Sequence, residues 1–307
     1  MIPIIVGPTA VGKTELVLDL AKKLNGEVIN LDSRQIYKYM NIGTAKPNVK
    51  ELRRVKHHLI DFVDPKDHYS SFEYKSDFIK VYEEIKNRDK IPIVTGGTGF
   101  YLDSLIKPLI KVGSDYGLRN YLERIETQEK GSLRKILEKI DRKSFLKIHE
   151  NDLKRIVRAI EIFILTGKNR NQLKDESKPV FKEYKIYALN RDRKELHKRI
   201  NLRVEKMIEQ GLVEEVQDLL NKGINEKLNS MNSIGYKEII EYIKGKKSLE
   251  EAKEDIKTNT RNYARRQIIY FRKYKDIKWL DMTSNSKGKI IKFIINDLRG
   301  IKNAGKI

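Results

Sequence analysis

The sequence contains no cysteine, which excludes a disulfide framework and any thiolate metal site. Its five histidines lack ligand-like spacing, save the adjacent His57 and His58. A His pair entering a strand usually serves packing or local hydrogen bonding, and we read this pair as structural. No apolar run approaches the ~20 residues that a membrane-spanning helix needs. The chain opens on a strand pattern rather than a signal peptide, so no membrane partner and a cytoplasmic location are expected. No internal repeat is visible. Acidic residues are scarce relative to basic ones, 43 Asp and Glu against 64 Lys and Arg, for a formal net charge of +21. Such an excess usually signals a polyanionic partner. A genome biased toward A and T would also enrich Lys, Ile and Asn, an explanation that suits the lysines better than the arginines placed at helical spacing.

What is present, at the very start, is Gly7-Pro8-Thr9-Ala10-Val11-Gly12-Lys13-Thr14. It follows an apolar run at 2–6 and precedes a helical pattern of Leu16, Leu20 and Leu24. This is a G-x-x-x-x-G-K-T phosphate loop in strand–loop–helix context. Glycines let the backbone wrap so that its N–H groups face phosphate oxygens. The helix that follows adds the positive end of its dipole. Lys13 supplies a mobile charge, and the Thr14 hydroxyl can hold a phosphate-bound Mg²⁺. A Gly-rich turn can be mere geometry, but a complete motif in this position makes that improbable. Kinases, hydrolases and pyrophosphate-releasing transferases all use such a loop, so it does not name the phosphate compound.

The 307 residues suffice for one large core, or for a core plus an accessory domain. Strand patterns at 2–6, 27–31, 57–62 and 91–95 alternate with helical ones, including 72–90 with apolar Phe72, Ile79, Tyr82 and Ile85. A further strand is predicted over 184–190. The fold class is α/β, a P-loop NTPase-like parallel sheet flanked by helices, with a mostly helical inserted or accessory region. Asn151 can cap a helix that runs to Thr166, where Gly167 stands as a C-terminal glycine. Residues 196–220 read as one long amphipathic helix or a helix pair.

Two segments at predicted strand ends should converge with the phosphate loop. One is Asp32-Ser33-Arg34-Gln35-Ile36-Tyr37. The other is Gly96-Gly97-Thr98-Gly99-Phe100-Tyr101, whose glycines allow close backbone approach. A third contribution is Arg199 and Arg203, one turn apart on a helix face. A carboxylate, a hydroxyl and an arginine around a phosphate loop suit proton removal and pyrophosphate stabilisation. Taken singly, Asp32 could equally be a helix N-cap, and the arginines a solvated face.

Together these segments resemble the tRNA dimethylallyltransferases, the bacterial IPP transferase family, which prenylate adenosine 37 of tRNA. The resemblance spans nearly the whole chain, in family order. It runs through GPTAVGKT at 7–14, DSRQIY at 32–37, NIGTAKP at 41–47, HHLID at 57–61 and GGTGFY at 96–101. It continues with NDLKRIVRAIE at 151–161, TGK at 166–168, IGYKE at 234–238 and YARRQ at 263–267. Two stretches depart from the family pattern: 107–117 carries few of the usual residues, and Ile269-Tyr270 replaces the typical Thr-Trp.

The resemblance implies attack of an adenine N6 amine on the first carbon of dimethylallyl diphosphate, with pyrophosphate leaving. It implies Asp32, Thr98 and Arg203 as reacting groups. Asp32 takes the amine proton, Arg203 holds the leaving charge with the phosphate loop and Mg²⁺, and Thr98 contacts tRNA or diphosphate. It further implies tRNA contacts at Asp32, Ser33, Arg34, Gln35 and Thr98, at Arg119, and at Lys154, Arg155, Ile156, Val157 and Arg158. The set is completed by Asn232, Ser233, Ile234, Gly235, Tyr236 and Lys237, where Tyr236 offers a stacking ring. Arg261, Arg265, Arg266 and Arg272 add charge for RNA phosphates. The expected partners are the tRNA anticodon stem-loop and dimethylallyl diphosphate, acting on a monomer. The expected organisation is a P-loop core over 1–110, a helical insertion over 111–150, the remaining core with tRNA-binding helices over 151–283, and a basic tail over 284–307. Three rivals share some features: a P-loop small-molecule kinase, an adenylate isopentenyltransferase acting on free AMP, and a non-catalytic P-loop RNA-binding module. None of these accounts for both the Asp32 and Thr98 segments and the basic C-terminal half.

Overall fold

A computed structural model describes residues 1–107, 112–173, 179–181 and 183–301. They form two compact units, Met1–Leu105 with Val180–Ile307, and Ile106–Pro179. The first unit is built on a six-stranded sheet of β1 (Ile2–Val6), β2 (Gly26–Leu31), β3 (His57–His58), β4 (Ile91–Gly96), β5 (Tyr184–Asn190) and β6 (Lys278–Asp281). Its strand order is β3-β2-β4-β1-β5-β6, and every pairing is parallel. This is the α/β class expected from the alternating patterns. β1 lies between β4 and β5, with Val6 opposite both Gly96 and Ala188. The phosphate loop therefore leaves the sheet flanked by the loops that follow β4 and β5. Helices cover both faces, so the central β1 is a continuous apolar run rather than an alternating one. Ile2, Ile4, Ile5 and Val6 are all buried.

Local chemistry sets the helix limits. The Lys13–Leu24 helix begins at Gly12, whose φ of 107° a side chain would strain. It ends at Asn25 in the left-handed region. Ser70 and Glu73 form a capping box for the Ser71–Lys86 helix. That helix buries Tyr74, Phe78 and Ile85, whereas Phe72 and Ile79, assigned to its apolar face by spacing, are exposed. The 196–220 pattern is a helix pair, Arg193–Glu209 and Leu212–Asn221, broken at left-handed Gly211.

Other expectations are corrected. The predicted 57–62 strand stops at His58, because Leu59 and Asp61 turn to positive φ. His57 and His58 serve locally: His57 Nδ1 pairs with the Val55 carbonyl and His58 Nε2 with Glu27. β6 has no counterpart among the sequence patterns, since it is four residues long and only Leu280 is fully buried. Much of the tail beyond 283 is a core element, because the Lys287–Leu298 helix buries Ile290, Ile291 and Ile294 in the sheet unit.

The second unit is helical, with Tyr116–Gln128, Ser132–Ile140, Arg142–Lys147 and Leu153–Thr166. It is wider than a 111–150 insertion. The Leu153–Thr166 helix packs Ile156, Val157 and Ile160 against Leu122, Leu133 and Leu137 of the preceding helices. Asp152 rather than Asn151 caps it, accepting from the Arg155 N–H, and Gly167 closes it as expected. Lys111, where the insertion was expected to start, lies outside the described residues, as do 174–178 and 302–307.

Candidate active site

The phosphate loop runs from β1 into the Lys13–Leu24 helix. Among the described residues no side chain caps that helix at its start, so its first-turn N–H groups remain for an anion. Lys13 Nζ donates to the Gly7 and Pro8 carbonyls, each at 2.8 Å. The Arg193–Glu209 helix places two guanidiniums on the loop from outside. Arg199 Nε donates to the Ala10 carbonyl at 2.8 Å, and Arg203 to the Thr9 hydroxyl at 3.1 Å. Arg191, directly after β5, donates to the Val11 carbonyl at 3.3 Å. Arg191 stands outside every motif of the sequence. Its one signal is its position at the carboxyl end of a parallel strand.

Asp32 follows β2 at the same edge of the sheet. Its Oδ1 accepts from the Arg34 N–H at 2.8 Å and the Gln35 N–H at 3.4 Å. This turn is the capping use that Asp permits, and it orients the carboxylate rather than consuming it. Asp32 Oδ2 makes no hydrogen bond among the described residues. Thr98 holds this segment in place: its hydroxyl accepts from the Ser33 N–H at 2.9 Å and lies 3.3 Å from the Ser33 hydroxyl. Gln35 in turn ties down the 41–47 loop through the Thr44 and Ala45 carbonyls.

One cavity of about 700 Å³ is lined by Lys13, Thr14, Asp32, Arg199, Arg203, Tyr263 and Gln267 among others. Burial pushes the Lys13 ammonium down to about 7, against the pull of Asp32 and with a smaller push from Arg203. Burial and then Arg199 lower the Arg203 guanidinium from its ordinary value, while Asp32 opposes them. The cavity thus holds a cluster of cations at one end and a carboxylate facing it. A site of this kind binds a compact anion and can take a proton beside it.

The family model described as IPP transferase matches residues 35–274. The chain belongs to the IPP transferase family. It is 48% identical over 296 residues to a tRNA dimethylallyltransferase of Petrotoga mobilis, covering 96% of this chain and 98% of that one. It is 45% identical over 290 residues to a tRNA dimethylallyltransferase of Thermotoga maritima, covering 94% and 95% of the two. Among solved structures, it resembles a tRNA isopentenylpyrophosphate transferase of Bacillus halodurans at 39% identity and TM-score 0.72, over 97% of this chain and 95% of that one. It also resembles a eukaryotic dimethylallyltransferase caught acting on tRNA, at 30% identity and TM-score 0.82, over 99% and 81%.

Set beside the residues that the family pattern singles out, the geometry divides them. Asp32, Ser33, Arg34, Gln35, Asn232, Ser233, Ile234 and Lys237 line the cavity with Lys13, Thr14 and Arg203. Thr98 does not line it, and its hydroxyl is engaged with Ser33. Tyr236 is not a stacking ring: it is fully buried, and its hydroxyl donates to Glu215 at 2.6 Å. Glu215 also accepts from the N–H groups of Asn41, Ile42 and Gly43, so Tyr236 helps anchor the cavity-lining loop.

In the helical unit, Lys154 and Arg155 are exposed. Ile156 and Val157 are each only 2% exposed, and their side chains serve the core instead of a surface. Arg119 and Arg158 both bind the buried Glu161 carboxylate, and Arg158 also donates to the Val112 and Gly113 carbonyls. Burial works to raise Glu161, but the two guanidiniums and the Asp115 N–H outweigh it and hold the carboxyl below its ordinary value. Of the four arginines near the C-terminal motif, Arg261 pairs with Asn201 and Thr258, and Arg266 lines the cavity.

Proposed function

We propose that this protein transfers a dimethylallyl group from dimethylallyl diphosphate to N6 of adenosine 37 in the tRNA anticodon loop, releasing pyrophosphate. The observation that carries this reading is the cavity that sets Lys13, Arg199 and Arg203 on the phosphate loop with the Asp32 carboxylate facing them. The bond from C1 to the diphosphate oxygen breaks, and its electron pair leaves with pyrophosphate. The cations and the uncapped helix N-terminus hold that charge as it develops. A bond forms between N6 and C1, and the N6 proton passes to Asp32. That acceptor matters because the exocyclic lone pair is drawn into the ring. Thr98 acts by holding Ser33, and through it the Asp32 turn.

Thr14 fits a magnesium ion on the diphosphate. Its hydroxyl lines the cavity with Lys13 and has no hydrogen bond among the described residues. Such an ion, when bound, neutralises charge on the leaving group. An adenine in an RNA loop can be unstacked and turned into a pocket at modest cost. Asn232, Ile234 and Lys237 at the cavity wall, and Lys154 and Arg155 on the helical unit, supply polar and cationic contacts for RNA. Every group named lies on one chain, so a monomer suffices. No helix among the described residues is long and apolar enough to cross a membrane, and a tRNA substrate assigns the work to the cytoplasm.

The test is a competition. The protein is incubated with Mg²⁺, dimethylallyl diphosphate, and either unmodified tRNA, AMP or ATP, and the acceptors are weighed by mass spectrometry. The tRNA should gain one prenyl group at a single adenosine. Mass gained by AMP instead, or a phosphoryl group moved from ATP, overturns the reading.

A further inference from the structure

The YARRQ segment ends in a residue that the reaction as described leaves without work. Gln267 lies on the Leu249–Phe271 helix and is only 5% exposed. Its Oε1 accepts from the Thr9 N–H at 2.9 Å, and its Nε2 donates to the Gly97 carbonyl at 3.0 Å. The two partners fix the orientation of the amide, since one is a donor and the other an acceptor. The fit is close: a Cβ on Gly97 would fall 2.1 Å from Nε2. On one side Thr9 also receives Arg203. On the other, Gly97 precedes Thr98, whose hydroxyl holds the Asp32–Ser33 turn. One amide thus joins the cations of the leaving group to the carboxylate of the acceptor.

We infer that Gln267 is a positioning residue, which locks the phosphate loop to the 97–98 turn and so sets Asp32 against the diphosphate. This rests on the prenyl-transfer reading. Other side chains of similar size cannot replace the amide. Leucine offers neither a donor nor an acceptor. An ionised glutamate keeps the acceptor for Thr9 but turns a second negative oxygen toward the Gly97 carbonyl. A protonated glutamate restores both bonds, with one oxygen accepting and one O–H donating.

Gln267→Leu and Gln267→Glu should therefore be compared with wild type between pH 5.5 and 8.5. The readouts are kcat for prenyl transfer, tRNA affinity, and calorimetric binding of inorganic pyrophosphate. Ratios to wild type at each pH cancel the titration of Lys13, Asp32, Arg199, Arg203, Tyr263 and Arg266, which line the same cavity. Gln267→Leu should lose about tenfold or more in kcat and in pyrophosphate affinity at every pH, with tRNA affinity retained. Gln267→Glu should match that loss at pH 8.5 and recover toward wild type as pH falls, because burial favours the neutral carboxyl. Recovery in the same preparation also shows that the variant folds. Gln267→Leu within twofold of wild type overturns the inference. So does a Gln267→Glu deficit that is the same at both ends of the pH range, or loss of cooperative melting in both variants. If wild type moves no prenyl group but pyrophosphate binding follows the expected pattern, the positioning role stands and the reaction assignment falls.

Discussion

Lys13 offers a quantitative test of how the site is held ready. Its Nζ is turned onto the Gly7 and Pro8 carbonyls, and burial has pushed its pKa from 10.5 to about 7. An unfolded chain keeps that proton until about pH 10. Between pH 7 and 10 the unfolded state therefore binds more protons than the folded one, and stability rises with pH. Below pH 7 both states hold the proton, and the dependence disappears. At 1.36 kcal/mol per pKa unit, the gain from pH 6 to pH 9 is ~1–2.5 kcal/mol, the lower figure allowing for water that reaches the part-exposed side chain. Urea unfolding of wild type and Lys13→Met at four pH values reads this term, because groups not coupled to Lys13 titrate alike in both. The difference in unfolding free energy should climb in favour of wild type above pH 7. A flat difference from pH 6 to 9 refutes a depressed ammonium. The functional counterpart is proton uptake: a diphosphate should draw the ammonium back to the charged form. At pH 8 pyrophosphate binding should take up as much as ~0.9 proton more in wild type than in Lys13→Met. Calorimetry in two buffers of different ionisation enthalpy measures it, and equal uptake in both proteins removes Lys13 from the binding of charge.

Other expected outcomes follow from the same geometry. Asp32→Asn preserves shape and the Arg34 N–H contact, so tRNA affinity should hold while turnover drops on the order of a hundredfold or more; full single-turnover activity would remove Asp32 from proton transfer. Arg203→Ala should lower kcat for prenyl transfer by on the order of a hundredfold, through loss of a leaving-group cation, and an unchanged rate counts against its role. Replacing both Lys154 and Arg155 with Ala should reduce the slope of log affinity for tRNA against log salt by about 1.4 to 1.8. Arg158→Ala should instead cost the fold about 1–3 kcal/mol by weakening the Glu161 clamp, seen as an earlier melt of residues 106–179 in hydrogen exchange. Gly43→Ala would push a Cβ to 2.4 Å from the Tyr236 ring and should displace the 41–47 loop. A variant with native activity and melting would contradict that contact.

The parts of this protein legible in the sequence are those whose physics is local. The phosphate loop declares itself because its spacing, glycines and lysine are dictated by the ligand and by one strand–helix junction. β1, β2, β4 and β5 are readable because strands covered on both faces are mostly apolar, the buried Glu27 and Asn30 of β2 being held by His58 and the Leu59 carbonyl. The apolar spacing over 196–220 leaves one helix or a pair equally open, and only the left-handed backbone at Gly211 decides for the pair. Asp32 and Arg203 could be named as reacting groups, but sequence alone left each equally open to capping or solvation. Only the fold set them around one cavity, because parallel strand order brings the ends of β1, β2 and β4 to one edge. Tertiary packing also decided what periodicity could not. Phe72 and Ile79 sit at helical spacing yet face outward, Tyr236 and Val157 lie inside, and β6 forms from only four residues, flanked by charge at both ends. Most of all, it gave Gln267 its partners. Thr9 lies 258 positions away in the chain, and Gly97 170. No local pattern encodes a hydrogen bond across such separations; it exists only once sheet and helix have docked.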